Sequence, residues 1–313
     1  MRYIVKAEKV VKKFSNHTAL NKVTINIPEG CIYGLLGPNG AGKTTFIRLI
    51  NQISKPDSGT VLFNNKPLEE DHISKIGYLP EERGLYKKMK VGEQAMYLAQ
   101  LKGMNKTDAK AKLKHWFTKF DILDWWNYKV EDLSKGMAQK IQFIVTVVHE
   151  PELLILDEPF SGFDPINTEL IKKEILELKE KGTTIIFSTH NMQSVEEICD
   201  YITLINKSEV ILQGKVEDIK KQFSKNEFEI HFTGNMLSFT TALWTSFQLI
   251  KKEEIQKSEF KVTVAPIDNQ SINDLLSAAI VGCKVKSVKE TSASIHDIFI
   301  RTIGEDNLND TKN

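Results

Sequence analysis

The sequence predicts an α/β protein with a parallel sheet in its main domain, followed by a smaller α+β domain. Short, almost continuously apolar runs alternate with helical patterns between residues 31 and 199, which is typical of a parallel sheet covered on both faces. The N-terminal residues instead alternate apolar and polar positions, which predicts antiparallel strands. Beyond Phe223 the composition changes, and strand and helix patterns begin again. With 313 residues, the chain is long enough for about two such domains.

The first predicted elements form an antiparallel β subdomain and the start of the parallel sheet. Two alternating strands are followed by a buried strand, a helix and two short strands, at residues 3–11, 20–27, 31–36, 45–53, 60–63 and 75–79. Helical spacing then predicts a helical insertion over residues 91–148. After it come buried strands at residues 152–157 and 183–188, helices at residues 169–178 and 191–199, and a hairpin at residues 201–213.

The first domain is predicted over residues 1–223 and the second over residues 224–304. The second resembles a small α+β unit of the split-βαβ, ferredoxin-like type. Its three strands and three helices are predicted at residues 228–232, 260–264 and 283–288 and at residues 236–247, 275–280 and 295–303. The polar tail, residues 305–313, is expected to be disordered.

Charge and cysteine content argue against several classes of function. The chain has 42 basic and 41 acidic residues and a formal net charge of +1, so nothing points to a nucleic-acid partner. The three cysteines, Cys31, Cys199 and Cys283, are far apart and form no zinc or redox motif. Because charges interrupt the apolar runs, we expect a soluble polypeptide with neither a secretion signal nor a membrane-spanning segment.

Residues 37–44 read GPNGAGKT and lie between the buried strand 31–36 and a helix-like run. Glycines let the backbone curl so that successive amide groups point at phosphate oxygens. Lys43 adds a positive charge, and the hydroxyl of Thr44 can coordinate Mg²⁺. A plain glycine-rich turn is the alternative interpretation, but the flanking strand and helix are what a phosphate loop requires. The loop therefore predicts binding of a nucleoside triphosphate.

Four further motifs follow along the chain. They are LSKGM at residues 133–137, LLILDEP at 153–159, SGFDP at 161–165 and STH at 188–190. Together with the phosphate loop, they closely resemble the nucleotide-binding domain of ATP-binding cassette (ABC) proteins over about residues 1–220. The resemblance implies an ABC-type P-loop NTPase fold with a helical subdomain over about residues 84–150. It also implies ATP and Mg²⁺ as ligands and ATP hydrolysis as the activity.

The residues after the apolar strands carry the expected chemistry. A strand that ends in Asp157 places this carboxylate at the carboxyl edge of the sheet, where it can hold Mg²⁺ beside Thr44. By resemblance, Glu158 orients or activates the attacking water, His190 contacts the γ-phosphate, and Asp164 lies at a dimer seam. The structural alternatives are a helix-capping role for the Asp157-Glu158 pair and a packed core position for His190.

The resemblance also defines the contacts to ATP and metal. Phe14 would stack on adenine, with burial in the core as the alternative. Ser134 and Gly136 would contact the ATP of a partner chain. The implied catalytic residues are Glu158, His190 and Lys43, and the implied metal ligands are Thr44, Asp157 and Glu81. The implied ATP-binding residues are Phe14, Gly37, Pro38, Asn39, Gly40, Ala41, Gly42, Lys43, Thr44, Thr45, Ser134 and Gly136.

Two segments depart from the family pattern. In LSKGM, Lys135 stands in place of the first glycine of the usual Leu-Ser-Gly-Gly-Gln, and Met137 in place of the glutamine, while Ser134 and Gly136 remain. After GYLP the family continues with glutamine, whereas this chain has Glu81, which adds a carboxylate near Mg²⁺.

The resemblance implies the ATP-hydrolysing subunit of an ABC transporter, at the inner face of the cell membrane. Two copies would associate head to tail and energise a separate permease, which would dock near residues 81–86. Residues 294–299, SIHDIF, resemble the closing motif of an accessory domain on exporter ATPases related to sodium-extrusion systems. Export of sodium or another small solute is therefore expected, and no catalytic role is assigned to His296 or Asp297.

Two rival functions belong to other classes. A soluble ABC ATPase of DNA repair, chromosome organisation or translation would typically carry a coiled-coil insertion, a zinc site or a second cassette, and the sequence shows none of these. A purely regulatory nucleotide-binding module would lack Glu158 or His190, and both are present.

Overall fold

In the computed structural model, the described residues are 2–310 except 16, 83 and 225, and only the backbone is described for residues 305–310. The chain divides into two compact units, Met1–Val216 with Thr302–Asn313, and Glu217–Arg301. The sequence analysis puts the boundary at residue 223, whereas the compact units divide at the start of the helix Val216–Phe223.

The first unit contains an antiparallel sheet near the N-terminus. Its strands are β1 (Tyr3–Phe14), β2 (His17–Pro28), β4 (Ser58–Phe63) and β5 (Lys66–Pro67). They are arranged in the order β2-β1-β4-β5. The inward-facing side chains of β1 and β2 are buried, as the alternating sequence predicts.

The second sheet of this unit is largely parallel and positions the candidate site. Its strands are β3 (Ile32–Leu36), β6 (Ile76–Leu79), β7 (Leu153–Asp157), β8 (Thr184–Ser188), β9 (Tyr201–Asn206) and β10 (Glu209–Lys215). The order is β10-β9-β3-β8-β7-β6, with β10 antiparallel at one edge. Every residue of β3, β7 and β8 is buried, so polar groups of these strands meet solvent only at the strand ends.

Six helices belong to the first unit: α1 (Lys43–Ile50), α2 (Val91–Leu101), α3 (Lys106–Lys119), α4 (Lys135–Val147), α5 (Pro165–Glu180) and α6 (Met192–Ile198). Short 3₁₀ turns lie at Glu70–Lys75, Leu123–Asn127 and Val130–Asp132. The helical subdomain packs around aromatic rings. Gly92 in α2 lies directly against the indole of Trp126, where any Cβ would overlap the ring, and Trp126 in turn contacts Phe117 with ring centroids 5.2 Å apart.

The second unit is a four-stranded antiparallel sheet with helices. Its elements are α7 (Val216–Phe223), β11 (Glu227–Gly234), α8 (Met236–Leu243), β12 (Phe247–Gln256), β13 (Glu259–Pro266), α9 (Ile272–Ala279), β14 (Cys283–Thr291) and the first part of α10 (Ile295–Asp310). Val216, at the start of α7, and α10 from Thr302 onward are grouped with the first unit. The order β12-β13-β11-β14, with all neighbours antiparallel, is the split-βαβ arrangement that the sequence analysis expects. The sequence analysis misses β12, because every residue of this edge strand except Phe247 is exposed and its pattern is charged.

The backbone of α10 continues to Asp310, beyond residue 305 where the sequence analysis starts a disordered tail. Residues 311–313 of that predicted tail lie outside the described residues. None of the helices in the described ranges combines the length and the apolar content that crossing a bilayer requires.

Candidate functional site

The phosphate loop leads from β3 into α1, which begins at Lys43. Gly42 has a φ of 118°, and a Cβ at this position would come within 2.5 Å of the carbonyl oxygen of Ala19, so the turn requires glycine. The Lys43 ammonium donates to the carbonyl oxygens of Gly37 at 2.7 Å and Pro38 at 3.1 Å. The loop therefore holds this lysine at the helix N-terminus, where the backbone amides and the helix dipole favour an anion.

Glu158 directly follows β7 and has a left-handed backbone, with φ at 49°. Its amide donates to the carbonyl oxygen of Ser188 at 2.8 Å, which ties the turn to the end of β8. Its carboxylate accepts hydrogen bonds from the Thr189 hydroxyl at 3.0 Å and the His190 amide at 2.9 Å, and lies 2.7 Å from His190 Nδ1. Two of the three side chains to which the resemblance gives catalytic roles, Glu158 and His190, are thus in direct contact.

Two structural alternatives from the sequence analysis are wrong. The side chain of His190 is 81% exposed, so it is not a packed core histidine. Phe14 is 46% exposed, and the ammonium of Lys12 lies 5.4 Å from its ring centroid, so the ring is not buried in the core. An exposed aromatic ring beside the phosphate loop is available to stack on a planar ligand.

At the end of β7, three carboxylates, those of Asp157, Glu158 and Glu81, lie around the ammonium group of Lys43. Asp157 is 5% exposed, and burial raises the pKa of its carboxyl group, with the charges of Glu81 and Glu158 acting in the same direction. Burial lowers the pKa of Lys43, while the charges of Glu158, Asp157 and Glu81 act in the opposite direction. The carboxylates outnumber the ammonium group that they surround, so the site favours an additional cation.

These groups line one pocket of about 490 Å³. Its lining residues are Phe14, His17, Ala19, Asn39, Gly40, Gly42, Lys43, Thr44, Thr45, Arg48, Glu81, Asp157, Glu158 and His190. Gly37, Pro38 and Ala41 belong to the loop but do not line the pocket. His17 and Arg48 were missed by the sequence analysis. Arg48 lies four residues after Thr44 on α1, so helical spacing could have placed it on the same face.

The oxygen ligands in this pocket fit Mg²⁺. The hydroxyl of Thr44 and the carboxylates of Asp157 and Glu81 are hard oxygen donors, and all three residues line the same pocket. Within the described ranges, no group of three or more His, Cys, Asp or Glu residues could hold a metal ion by itself. Mg²⁺ in nucleotide sites is usually held by one or two carboxylates together with substrate phosphates, so this arrangement suits it.

Ser134 and Gly136 do not line this pocket. Ser134 is the N-cap of α4, with its exposed hydroxyl accepting from the Met137 amide at 3.2 Å. Asp164 caps α5 in the same way, accepting from the Asn167 amide at 2.9 Å, and this backbone hydrogen bond lowers the pKa of Asp164. Both residues therefore have a helix-capping contact within their own chain and remain exposed at helix starts.

The SIHDIF segment begins α10. The Ser294 hydroxyl donates to the carboxylate of Asp297 at 2.6 Å, and the Asp297 amide donates back to that hydroxyl at 3.0 Å. Ile295 and Ile298 are buried. This segment is therefore a helix cap with two core anchors.

Comparison with known proteins identifies two matching families. The ABC transporter family model matches residues 20–161, and the model for the C-terminal domain of DrrA1-3-like ATP-binding proteins matches residues 214–303. The chain is 42% identical to the uncharacterized ABC transporter ATP-binding protein YhaQ of Bacillus subtilis, over 94% of this chain and 97% of YhaQ. It is 30% identical to the bacitracin transport ATP-binding protein BcrA of Enterococcus faecalis, over 97% of each. A solved structure of an ATP-binding subunit of an ABC transporter matches with a TM-score of 0.66 and 28% identity, over 70% of this chain and 93% of that one.

Proposed function

Because the chain belongs to the family of ABC transporter ATP-binding subunits, we propose that it binds MgATP in the phosphate-loop pocket and powers export through a separate permease. Members of this family hydrolyse ATP, dimerise and work with membrane permeases. One observation carries the proposal: the phosphate loop, Lys43, Asp157 and the contacting pair Glu158 and His190 converge on a single pocket.

In the proposed reaction, the loop amides and Lys43 hold the β- and γ-phosphates. The Glu158 carboxylate orients the attacking water, and its contacts to Thr189 and His190 keep it in place. His190, which lies against Glu158, would contact the γ-phosphate. Mg²⁺, held by Thr44, Asp157 and Glu81, would supply the positive charge that the phosphates require.

A second copy of the chain would complete each site. The pocket lacks Ser134 and Gly136, which are exposed or partly exposed at the start of α4. A head-to-tail dimer would place this helix start, with its positive dipole end, against the γ-phosphate bound by the other chain. ATP would then join the two copies, and hydrolysis would release them.

The permease contact is proposed on an exposed apolar strip at the edge of the helical subdomain. Tyr86, Tyr97 and Leu101 are exposed, and the rings of the two tyrosines lie 6.4 Å apart. Arg83, within the predicted docking segment 81–86, lies outside the described residues.

Similarity to a bacitracin transport protein over almost the whole chain supports a small-molecule exporter at the cytoplasmic face of the membrane. Once the native complex identifies the permease, Leu101→Arg should release it while ATP-dependent dimerisation is retained.

The central test is Glu158→Gln. We expect phosphate release to fall by about 100-fold or more, because the water loses its orienting carboxylate, while ATP binding persists. Light scattering should then show an ATP-dependent dimer accumulating. Glu180→Gln, at an exposed site at the end of α5, is the matched control and should behave like the wild type. Unchanged turnover of the Glu158→Gln protein would refute the assigned role.

A further inference from the structure

A second cavity of about 390 Å³ lies between the start of α4 and the segments that follow β6 and β7. It is lined by Leu79, Pro80, Glu81, Glu82, Lys135, Gln139, Gln142, Asp157, Glu158, Pro159 and Ser161. Four of these side chains are carboxylates and one, Lys135, is a cation. The cavity thus contains two of the three residues that depart from the usual family pattern, Glu81 and Lys135, and these are opposite in charge.

One face of α4 forms a wall of this cavity. Lys135, Gln139 and Gln142 follow the spacing i, i+4, i+7, which aligns them on one side of the helix. The Gln142 amide donates to the carbonyl oxygens of Pro80 at 3.5 Å and Glu82 at 3.4 Å, and the Gln139 amide donates to Pro159 at 3.0 Å. The helix is therefore connected to both segments that carry the acidic residues of the site.

The cavity also contains an unsatisfied acceptor. Gln139 is 8% exposed, and its Oε1 has no hydrogen-bond partner. Because the other amide atom donates to a carbonyl oxygen, the orientation of the side chain is fixed and Oε1 remains the acceptor. Leaving a buried carbonyl oxygen without a donor is unfavourable, so the site favours a nearby donor.

Lys135 is the cation that lines this cavity. It precedes Gln139 by one helical turn, and its side chain bends back over the segment after β7. Its Cε and Nζ lie 2.7 Å and 3.0 Å from where a Cβ on Gly162 would be. Gly162 has a φ of 85°, a backbone conformation that favours glycine. Because glycine has no Cβ, there is space here for the Lys135 side chain.

We propose that Lys135 is a positioning residue whose ammonium group enters this cavity, donates to Gln139 Oε1 and offsets the charge of Glu81. Lys135 thereby holds the start of α4 to the catalytic edge of its own chain. The inference rests on the proposed function, in which Glu81 binds Mg²⁺ and Ser134 contacts the nucleotide of the partner. A change in the charge of Glu81, in the nucleotide site of one chain, would then alter the orientation of Ser134, which contacts the nucleotide bound by the partner chain.

A double-mutant cycle tests this inference with Lys135→Met, Glu81→Gln and the combination of both. We expect K135M to raise the half-saturating ATP concentration about threefold with little change in kcat, and to have almost no such effect in the E81Q background, as for an ion pair between exposed side chains. Thermal unfolding in EDTA without nucleotide should show the same non-additivity. K135R should restore both readouts, and K140M, elsewhere on α4, is the matched control.

Additive effects of K135M and E81Q in both readouts would overturn the inference, as would a K135R protein that behaves like K135M. A wild-type protein without ATP hydrolysis would instead contradict the proposed function. The unfolding cycle in EDTA would still decide the inference in that case, because it needs neither nucleotide nor metal.

Discussion

The carboxylates of the two units differ in how their charge is balanced. In the second unit, Glu259 lies 2.6 Å from the Lys286 ammonium and 2.7 Å from His231 Nε2, and these hydrogen bonds lower the pKa of Glu259. In the first unit, burial raises the pKa of Asp157, and the charge of Glu81 adds to this effect. A carboxylate that is hydrogen-bonded to cationic partners supports the fold, whereas a buried carboxylate crowded by other carboxylates is available to a metal or a substrate.

The two sheets explain why the charges are placed so differently. The strands β3, β7 and β8 are buried throughout, so catalytic groups can only follow them, as Glu158 follows β7. The antiparallel sheet of the second unit buries alternate residues and leaves its other positions for cross-strand pairs. Glu229 contacts Lys261 and Lys289 there, at 3.1 Å each. Charge on this sheet is therefore used for pairing between strands.

The comparison predicts that lysines of the two units have very different effects on activity. Lys43→Ala should reduce ATP hydrolysis by about 100-fold or more, because it removes the cation that holds the phosphates. Lys261→Ala, which removes one partner of Glu229, should leave the rate unchanged. Phosphate release and fluorescent-nucleotide binding would measure both. Tight ATP binding by the Lys43→Ala protein would count against the proposed phosphate cradle.

A core substitution in the second unit tests the other side of the comparison. Phe232 is fully buried and stacks on Phe239 with centroids 4.2 Å apart, so Phe232→Ala should lower the stability of this unit by about 3–5 kcal/mol. Calorimetry should show an earlier transition, while ATP hydrolysis below that transition should be retained, because none of the residues described for this unit lines the nucleotide pocket. Leu237→Ala, at an exposed position, is the control. Hydrolysis lost well below the transition would contradict the comparison.

The sequence predicts the parallel sheet and the residues after its strands well, because continuous apolar runs and the motifs that follow them are local signals. It does not predict β12, whose charged pattern reflects an exposed edge. Contacts between distant segments are also absent from local patterns. The contact of Glu158 with His190 depends on β7 and β8 being neighbours in the sheet, and Lys135 meets Glu81 in one cavity only through the packing of α4.

The smallest predicted effect concerns the pairing of Glu259 and its dependence on pH. Because its folded-state pKa lies below the ordinary value of 4.5, the stabilisation is present above that value and is lost as the pH falls through the folded-state pKa. Glu259→Gln should therefore slightly lower the unfolding temperature of the second unit at pH 7. It should leave this temperature unchanged at a pH below the folded-state pKa of Glu259. Glu254→Gln, which removes an exposed carboxylate with no ion pair among the described residues, should show no such pH dependence. A Glu259→Gln difference that persists equally at acidic pH would mean that packing around this side chain, and not its charge pairing, supports the sheet.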